Sequence, residues 1–402
     1  MKRFRAIALW TAGILAGLVL VAWIGLKVYL GGPARAAVAQ QLSETLGLPV
    51  EVESLDVGAG SSTVALRIPD PASNPPGDLL KIGSITTDVS LASVATGRSS
   101  PTRLTAKDVE ILLRIDEKGQ LLSPLPNPKQ STGTPGPLPT VELSAARVRI
   151  RQTGHPEFVV GGVSGELKHD GDGYALSGKI DDPEWGQWRI TGRLAADPAD
   201  GHVELSTDHG QLVESRLRTI PYVPQEVWDH LKASGETPAT VSFTFKPGTD
   251  LGYSVVLKPD AAAAVTVPDA DVTLSKVRGN IRIADGKVTV TDGNVSVAEG
   301  EVKLSGTYTF DKPTAVIAIK ADAAGIDVRQ LPTQWGLPKE IEGRLKGNAD
   351  LEMHIPPDGK LETRGSGRGV VKGAKLAGLD AEITLRLSAK DGRFRFDSPP
   401  LE

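Results

Sequence analysis

The sequence lacks cysteine, has few aromatic residues and carries no large excess of charge. Among 402 residues there is no Cys, aromatic residues make up 4%, and 45 Lys and Arg stand against 49 Asp and Glu. The lack of cysteine excludes disulfides, thiolate catalysis, thiolate zinc sites and iron–sulfur clusters. A formal net charge of −4 without a long basic run argues against a nucleic-acid groove, so we expect no nucleic-acid partner.

The signatures of common enzyme chemistry are also missing. The sequence has no nucleophile elbow, phosphate-binding loop, dinucleotide fingerprint or zincin motif. His169 with Asp170 and Asp172 could bind a metal, and the acidic residues and tryptophans of 181–188 could form a sugar site with paired carboxylates. Polar turns with packed rings explain both patterns better. We therefore expect no enzyme, with no catalytic residue, metal site or cofactor.

One long apolar run lies near the N-terminus. Ile7 to Leu26 is an uncharged stretch of 20 residues, about 30 Å long as a helix, and predicts a transmembrane helix over 7–30. Trp10 and Trp23 lie near its two ends, and Lys27 can extend to the interface. Basic residues in the stub 1–6 place the N-terminus in the cytoplasm and the bulk of the chain across the membrane.

A cleaved signal peptide is the alternative interpretation of this run. The segment 34–36, Ala-Arg-Ala, resembles a cleavage site, although the apolar run is longer than a typical signal core. Both interpretations export the rest of the chain.

Apolar and polar residues alternate with a period of two from about residue 50 to the end of the chain. The clearest run predicts an antiparallel meander of strands at Arg278–Ile283, Lys287–Thr291, Asn294–Ala298, Glu301–Phe310 and Thr314–Ala321. Turn signals separate the strands at Asp285-Gly286, Asp292-Gly293, Asp358-Gly359 and Asp391-Gly392. The fold class is mainly β, with short helices near 34–47 and 224–233.

A Pro-rich segment, 123–140, interrupts the alternation and predicts a linker or loop. It separates an N-terminal region, 31–122, from a longer β-region, 141–402. These boundaries define the predicted domains.

The strands carry one apolar face, which either another sheet or a ligand must cover. A core closed by Trp185, Trp188, Phe243 and Phe245 would favour a sealed scaffold. An apolar face that stays open would favour a groove. The candidate groove residues are Val302, Leu304, Ile317, Ile319, Leu351, Met353, Ile383 and Leu385. Arg147, Arg149 and Arg151 share one strand face, where they could meet lipid headgroups, although a solvated face is the default.

Two stretches of the chain carry a series of short motifs. The first stretch, Gln41–Pro124, contains motifs at 46–50, 82–85, 89–91 with Gly97, Leu104, 109–111 and 116–119. The second, Val277–Leu387, contains motifs at 279–281, 300–306, 331–332 and 341–347. In this order, with the predicted membrane anchor in front, the motifs resemble those of the AsmA-like proteins of the Gram-negative envelope, a family related to TamB and YhdP and to the bridge-like lipid-transfer proteins.

The resemblance implies an elongated, curved β-sheet that forms an apolar groove for phospholipid. It also implies a single-pass inner-membrane protein with its bulk in the periplasm and a role in lipid transport to, or maintenance of, the outer membrane. Expected partners are phospholipid, the inner membrane and an outer-membrane or periplasmic protein. Many family members are much longer than this chain.

The alternative function is an anchored structural or assembly factor for outer-membrane proteins. Such a factor would bind protein by pairing a strand with an exposed sheet edge. A hydrolase is a distant third.

Overall fold

The computed structural model describes residues 35–57, 61–70, 77–89, 102–117, 120–124, 139–195, 200–221, 223, 225–246, 252–268, 271–309, 314–332, 341–356, 362–376, 379–390 and 393–397. The fold is mainly β, since strands make up 75% of the described residues beside few short helices, and this confirms the predicted class. The described helices are α1 Arg35–Leu46, α2 Glu214–Leu217 and α3 Gln225–His230, with one 3₁₀ turn at Val328–Gln330.

The chain divides into two compact units. Unit 1 comprises Met1–Thr207, Arg218–Val223 and Val241–Tyr253, and unit 2 comprises Asp208–Leu217, Pro224–Thr240 and Ser254–Glu402. The first nine strands are β1 Glu51–Val57, β2 Ser62–Asp70, β3 Gly77–Thr87, β4 Arg103–Ile115, β5 Thr140–Gln152, β6 Phe158–Asp170, β7 Gly173–Asp182, β8 Gly186–Ala195 and β9 Gly201–Leu212. The next eleven are β10 Lys232–Phe245, β11 Gly252–Leu257, β12 Asp260–Val267, β13 Val272–Ala284, β14 Lys287–Val297, β15 Gly300–Thr309, β16 Ala315–Asp327, β17 Arg344–Ile355, β18 Glu362–Leu376, β19 Leu379–Lys390 and β20 Arg393–Asp397.

Both predicted short helices are present. α1 ends at Leu46, where Gly47 takes a left-handed φ of 67° and its amide donates to the Ser43 carbonyl oxygen at 2.9 Å. Glycine adopts this conformation at little steric cost, so it ends the helix cleanly. α3 is shorter than predicted, and the sequence reasoning did not anticipate the single turn of α2.

The predicted transmembrane helix, with Ile7, Trp10, Trp23, Leu26 and Lys27, lies outside the described residues. Among the helices that are described, none has the length and apolar character needed to cross a membrane.

Unit 1 has a closed apolar core. The alternating apolar side chains of β2 to β9 are buried, and several are completely so: Leu66, Ile82, Leu104, Val109 and Val141 have 0% exposure. α1 lies against β1 and adds Leu42 and Leu46, at 0% and 1% exposure. The alternating apolar side chains of unit 1 therefore form an ordinary packed core.

One strand pair of unit 1 departs from the antiparallel pattern. β4 and β5 are parallel over their whole length, from Arg103 paired with Thr140 to Ile115 paired with Gln152. Parallel neighbours need a long connection, and the Pro-rich segment predicted as a linker lies between these two strands. The two strands flanking that segment thus pair within unit 1, and the division into compact units falls elsewhere, at β9 to β11.

Unit 2 contains the predicted antiparallel meander, in which β13 to β19 each pair with the next strand. The turn Asp285-Gly286 joins β13 to β14 with φ values of 49° and 69°, as expected for a two-residue hairpin. The turns predicted at Asp358-Gly359 and Asp391-Gly392 lie outside the described residues.

The turn predicted at Asp292-Gly293 is wrong. These residues form a bulge within one continuous strand, β14, where the register with β15 shifts between Val290 and Gly293. Asp292 has a φ of 52° there. Aspartate tolerates this left-handed conformation in bulges as well as in turns, so the dipeptide alone does not separate the two.

Candidate functional site

The candidate site is an apolar strip on one face of the unit 2 sheet. We define the strip by two rows of side chains that are joined in register across six strands, β11, β13, β14, β15, β16 and β17. The first row is Val255, Ile283, Val288, Tyr308, Ile317 and Met353, and the second is Leu257, Ile281, Val290, Gly306, Ile319 and Leu351. Paired residues project from the same face, so each row is continuous.

All side chains of the strip are half-buried. Gly306 is the one position without a side chain; a Cβ there would lie 2.6 Å from the Ala318 carbonyl oxygen of the neighbouring strand. Burial raises the pKa of the Tyr308 hydroxyl, which indicates a poorly solvated surface around it. The strip is thus apolar and incompletely covered by the described part of the chain.

The strip is long enough for a lipid tail. Five inter-strand steps of about 4.8 Å give a length of about 24 Å from β11 to β17. An acyl chain in a bilayer leaflet occupies about 15 Å, half of the hydrocarbon thickness. One extended chain could therefore lie across the strands within the strip.

The structure sorts the eight predicted groove residues into three groups. Four of them lie in the strip as two direct cross-strand pairs, Ile317 with Met353 and Ile319 with Leu351. The other four lie against two buried clusters, as follows.

Val302 and Leu304 pack against the buried cluster of Ala263, Val277 and Val295. Ile383 packs against a second cluster that contains Leu385 itself, together with Val328, Ile341, Val371 and Ala374. Leu385 is 5% exposed, so little of its surface is open to a ligand.

Sequence reasoning did not single out the residues of β11, β13 and β14 in the strip. Their signal was present as short alternating runs, Ile281 with Ile283 and Val288 with Val290. Only the strand register shows that these runs extend the rows of β15 to β17.

An ion-pair network holds the strand ends beside the second cluster. Arg344 contacts Glu299 at 2.7 Å, Gln330 donates to Glu299 at 2.8 Å, and Arg329 pairs with Asp327 at 3.2 Å. The hydrogen bond from Arg344 holds the pKa of Glu299 below its usual value, and Arg329 does the same for Asp327. The network fixes the turn between β14 and β15 to the ends of β16 and β17.

The carboxylates beside the tryptophans organise a turn. The buried Asp182 carboxylate accepts hydrogen bonds from the backbone amides of Gly161, Glu184 and Trp185 at 2.7–3.0 Å. The Trp185 ring packs against Phe158 at a tilt of 41°, with 5.1 Å between ring centroids, and the Trp188 Nε1–H donates to the Trp185 carbonyl oxygen. This arrangement is a packed β-turn rather than a pair of free carboxylates.

The four aromatic residues whose burial would indicate a sealed core differ in their exposure. Phe243 is completely buried, whereas Trp185, Trp188 and Phe245 are half-buried.

The other polar candidates are also paired within the chain. Arg193 lies 3.4 Å from Asp170 and 3.7 Å from Asp172, and the His169 ring meets Tyr174 edge-on. No group of three metal-ligating side chains occurs among the described residues.

The arginine row of β5 is largely neutralised. Arg149 and Arg151 both bind Glu157, at 2.9 Å and 2.8 Å, and Arg147 lies 3.9 Å from Glu110. Partial burial raises the pKa of Glu157, but the hydrogen bonds and charges of the two guanidinium groups together outweigh it, so this pKa lies below its usual value. These arginines are therefore engaged with carboxylates of their own unit.

Comparison of the chain with protein-family models, with curated proteins and with solved structures finds no match.

Proposed function

We propose that this protein binds phospholipid acyl chains on the apolar strip, which forms the floor of a groove. In this proposal it is an AsmA-like protein, held in the inner membrane by residues 7–30, with its sheet in the periplasm. It takes part in lipid transport to, or maintenance of, the outer membrane. The observation that carries the proposal is the pair of half-buried apolar rows across six strands, in which Gly306 is the one position without a side chain.

The binding energy in this proposal comes from burial of apolar surface. Each methylene group that leaves water contributes about 0.8 kcal/mol. The rows contain no charged side chain, and their one hydroxyl is that of Tyr308, so no strong polar contact fixes a tail at one point. A tail can then slide along the strip, and a lipid gradient or a partner must supply direction.

The first test is lipid analysis of the full chain. We expect phospholipid to co-purify with the protein and to appear in native mass spectra as additional mass on the intact chain. Leu351→Asp places a charge in the second row and should deplete the bound lipid. Asp350→Asn, one residue away on the exposed opposite face, is the matched control and should retain it. Lipid-free wild-type protein would exclude the proposal and favour the protein-binding alternative.

A second test does not depend on a disruptive substitution. Because the chain has no cysteine, Leu351→Cys and Asp350→Cys each introduce one thiol for a fluorescent label. Phospholipid brominated on its tail should quench the label at 351 strongly and the label at 350 weakly. Equal quenching at the two positions would contradict tail binding on the strip.

A further inference from the structure

We propose that the Thr363 hydroxyl holds the carbonyl end of an acyl chain on the apolar strip and so sets the direction in which the chain lies. The inference rests on the proposed function, because the acyl chain occupies the strip. Thr363 lies on β18, the next strand beyond the strip, and is the direct partner of Met353 in the register of β17 and β18. It therefore extends the first row by one position on the same face.

The Thr363 hydroxyl is buried without a hydrogen bond. The residue is 1% exposed, and its Oγ1 has no partner among the residues that the structure describes. Two other buried threonines are bonded. The Thr87 hydroxyl donates to the Val89 carbonyl oxygen at 2.8 Å, and that of Thr237 donates to a neighbouring carbonyl oxygen at 3.1 Å. A buried polar atom without a partner destabilises the fold, and a ligand acceptor would supply the missing partner at Thr363.

The first row gives the Thr363 hydroxyl an apolar approach. From Thr363 toward β15, the row continues with Met353, Ile317 and Tyr308. These three inter-strand steps span about 14 Å, and an acyl chain in a bilayer leaflet occupies about 15 Å. Sites for apolar ligands commonly contain a few polar groups that fix the orientation of the ligand. An acyl chain over this part of the row would have its carbonyl at β18 and its methyl end near β15.

The side chain opposite Thr363 can give a ligand access to the hydroxyl. Cross-strand partners have Cβ atoms about 5 Å apart, so the half-buried Met353 side chain lies beside Thr363. Methionine is unbranched and flexible, so it adapts readily to a ligand. A movement of Met353 would open the hydroxyl to the strip, where it can donate to a carbonyl oxygen. The carbonyl can belong to a phospholipid ester or to a free fatty acid.

The test uses the full chain in a non-ionic detergent, freed of lipid and incubated with equal amounts of three competing probes. The probes are a diester phosphatidylcholine, its diether analogue of equal chain length, which lacks both carbonyl oxygens, and palmitate. Mass spectrometry of the bound lipid gives their proportions. We expect bound diester to exceed bound diether about three- to ten-fold, the range for one neutral hydrogen bond. If the carbonyl is that of a free fatty acid, palmitate should be the most abundant of the three.

Thr363→Val removes the hydroxyl at almost constant volume. It should abolish the preference for probes with a carbonyl and raise the Tm of the lipid-free protein, because the buried hydroxyl has no partner to lose. Thr363→Ser keeps a hydroxyl and should keep the preference. Thr237→Val is the matched control, since it removes a bonded hydroxyl outside the strip. It should lower Tm and leave the preference unchanged.

The outcomes separate this inference from the proposed function. Wild-type protein that binds none of the three probes would overturn both. Identical proportions of the probes in wild-type protein and in Thr363→Val would overturn only the role of Thr363. A lower Tm for lipid-free Thr363→Val would also overturn that role, because the hydroxyl would then have a partner within the folded chain.

Discussion

The two units carry the same sequence pattern on their strands and bury it to different extents. In unit 1, Leu66, Ile82 and Leu104 have 0% exposure. In unit 2, Ile319 and Leu351 occupy equivalent alternating positions and are half-buried. Alternation therefore predicts which face of a strand is apolar, but the extent to which that face is covered depends on what packs against it.

The ion pairs of the two units also differ in burial, and the pair in unit 1 is the more buried. Asp70 in unit 1 has a side chain that is 1% exposed and contacts Arg114 at 2.7 Å. The pair Lys320 and Asp350 in unit 2 is 3.6 Å apart, with both side chains mostly exposed. A buried ion pair is costly to break because the remaining charge stays out of water, whereas an exposed pair is solvated in either case.

The largest expected effect is therefore on the buried ion pair. Asp70→Asn should lower the free energy of unfolding by about 3–5 kcal/mol, and Asp350→Asn by less than about 1 kcal/mol. Urea unfolding followed by circular dichroism measures both values. Equal effects would mean that the two units do not differ in burial as described.

Truncation of an apolar side chain tests the same comparison in the cores. Leu66→Ala should cost about 3–5 kcal/mol because it leaves a cavity in a closed core. Leu351→Ala should cost about 1 kcal/mol because the side chain is only half-buried and its site stays open. The difference should shrink if lipid bound to the strip already covers Leu351, so the measurement is made before and after delipidation. A cost at Leu351 as large as that at Leu66 in delipidated protein would show a sealed core.

Much of the strand structure was predictable from the sequence, and the exceptions have physical causes. The period of two located the meander from β13 to β16, and Asp285-Gly286 located its first hairpin, because both signals are local. Asp292-Gly293 was wrongly predicted as a turn because a bulge and a turn use the same backbone conformation. The parallel pairing of β4 with β5 depends on contacts across a long connection, which no local pattern specifies.

The candidate site was predictable only in part for a related reason. Ile317, Ile319, Leu351 and Met353 were selected because their strands alternate clearly. Whether such residues join a row or a closed cluster depends on the register and on the neighbouring strands, as the burial of Leu385 shows.

The third prediction concerns Gly306, the one position of the strip without a side chain. Gly306→Val would add a side chain to the second row, but its Cβ would lie 2.6 Å from the Ala318 carbonyl oxygen. We expect a loss of about 1–3 kcal/mol in the free energy of unfolding from this overlap. Ala321→Val is the control, since position 321 already accommodates a Cβ. If Gly306→Val stabilises the protein instead, the close approach of β15 and β16 is not required.

The smallest expected effect concerns pH. It tests whether the ion pairs at the strand ends contribute to the stability of unit 2. Hydrogen bonds from Arg344 and Gln330 keep the pKa of Glu299 below its usual value, so the folded state favours the ionised carboxylate. The stability from this pairing is present above the unfolded pKa of about 4.3 and is lost as the pH falls through the lower folded value. Glu299→Gln should therefore lower Tm slightly at pH 7 and have almost no effect near pH 3. Because Glu299 is exposed, added salt should reduce the difference at pH 7. An effect of Glu299→Gln that stays constant from pH 7 to pH 3 would show that the carboxylate charge is not what stabilises this end of the sheet.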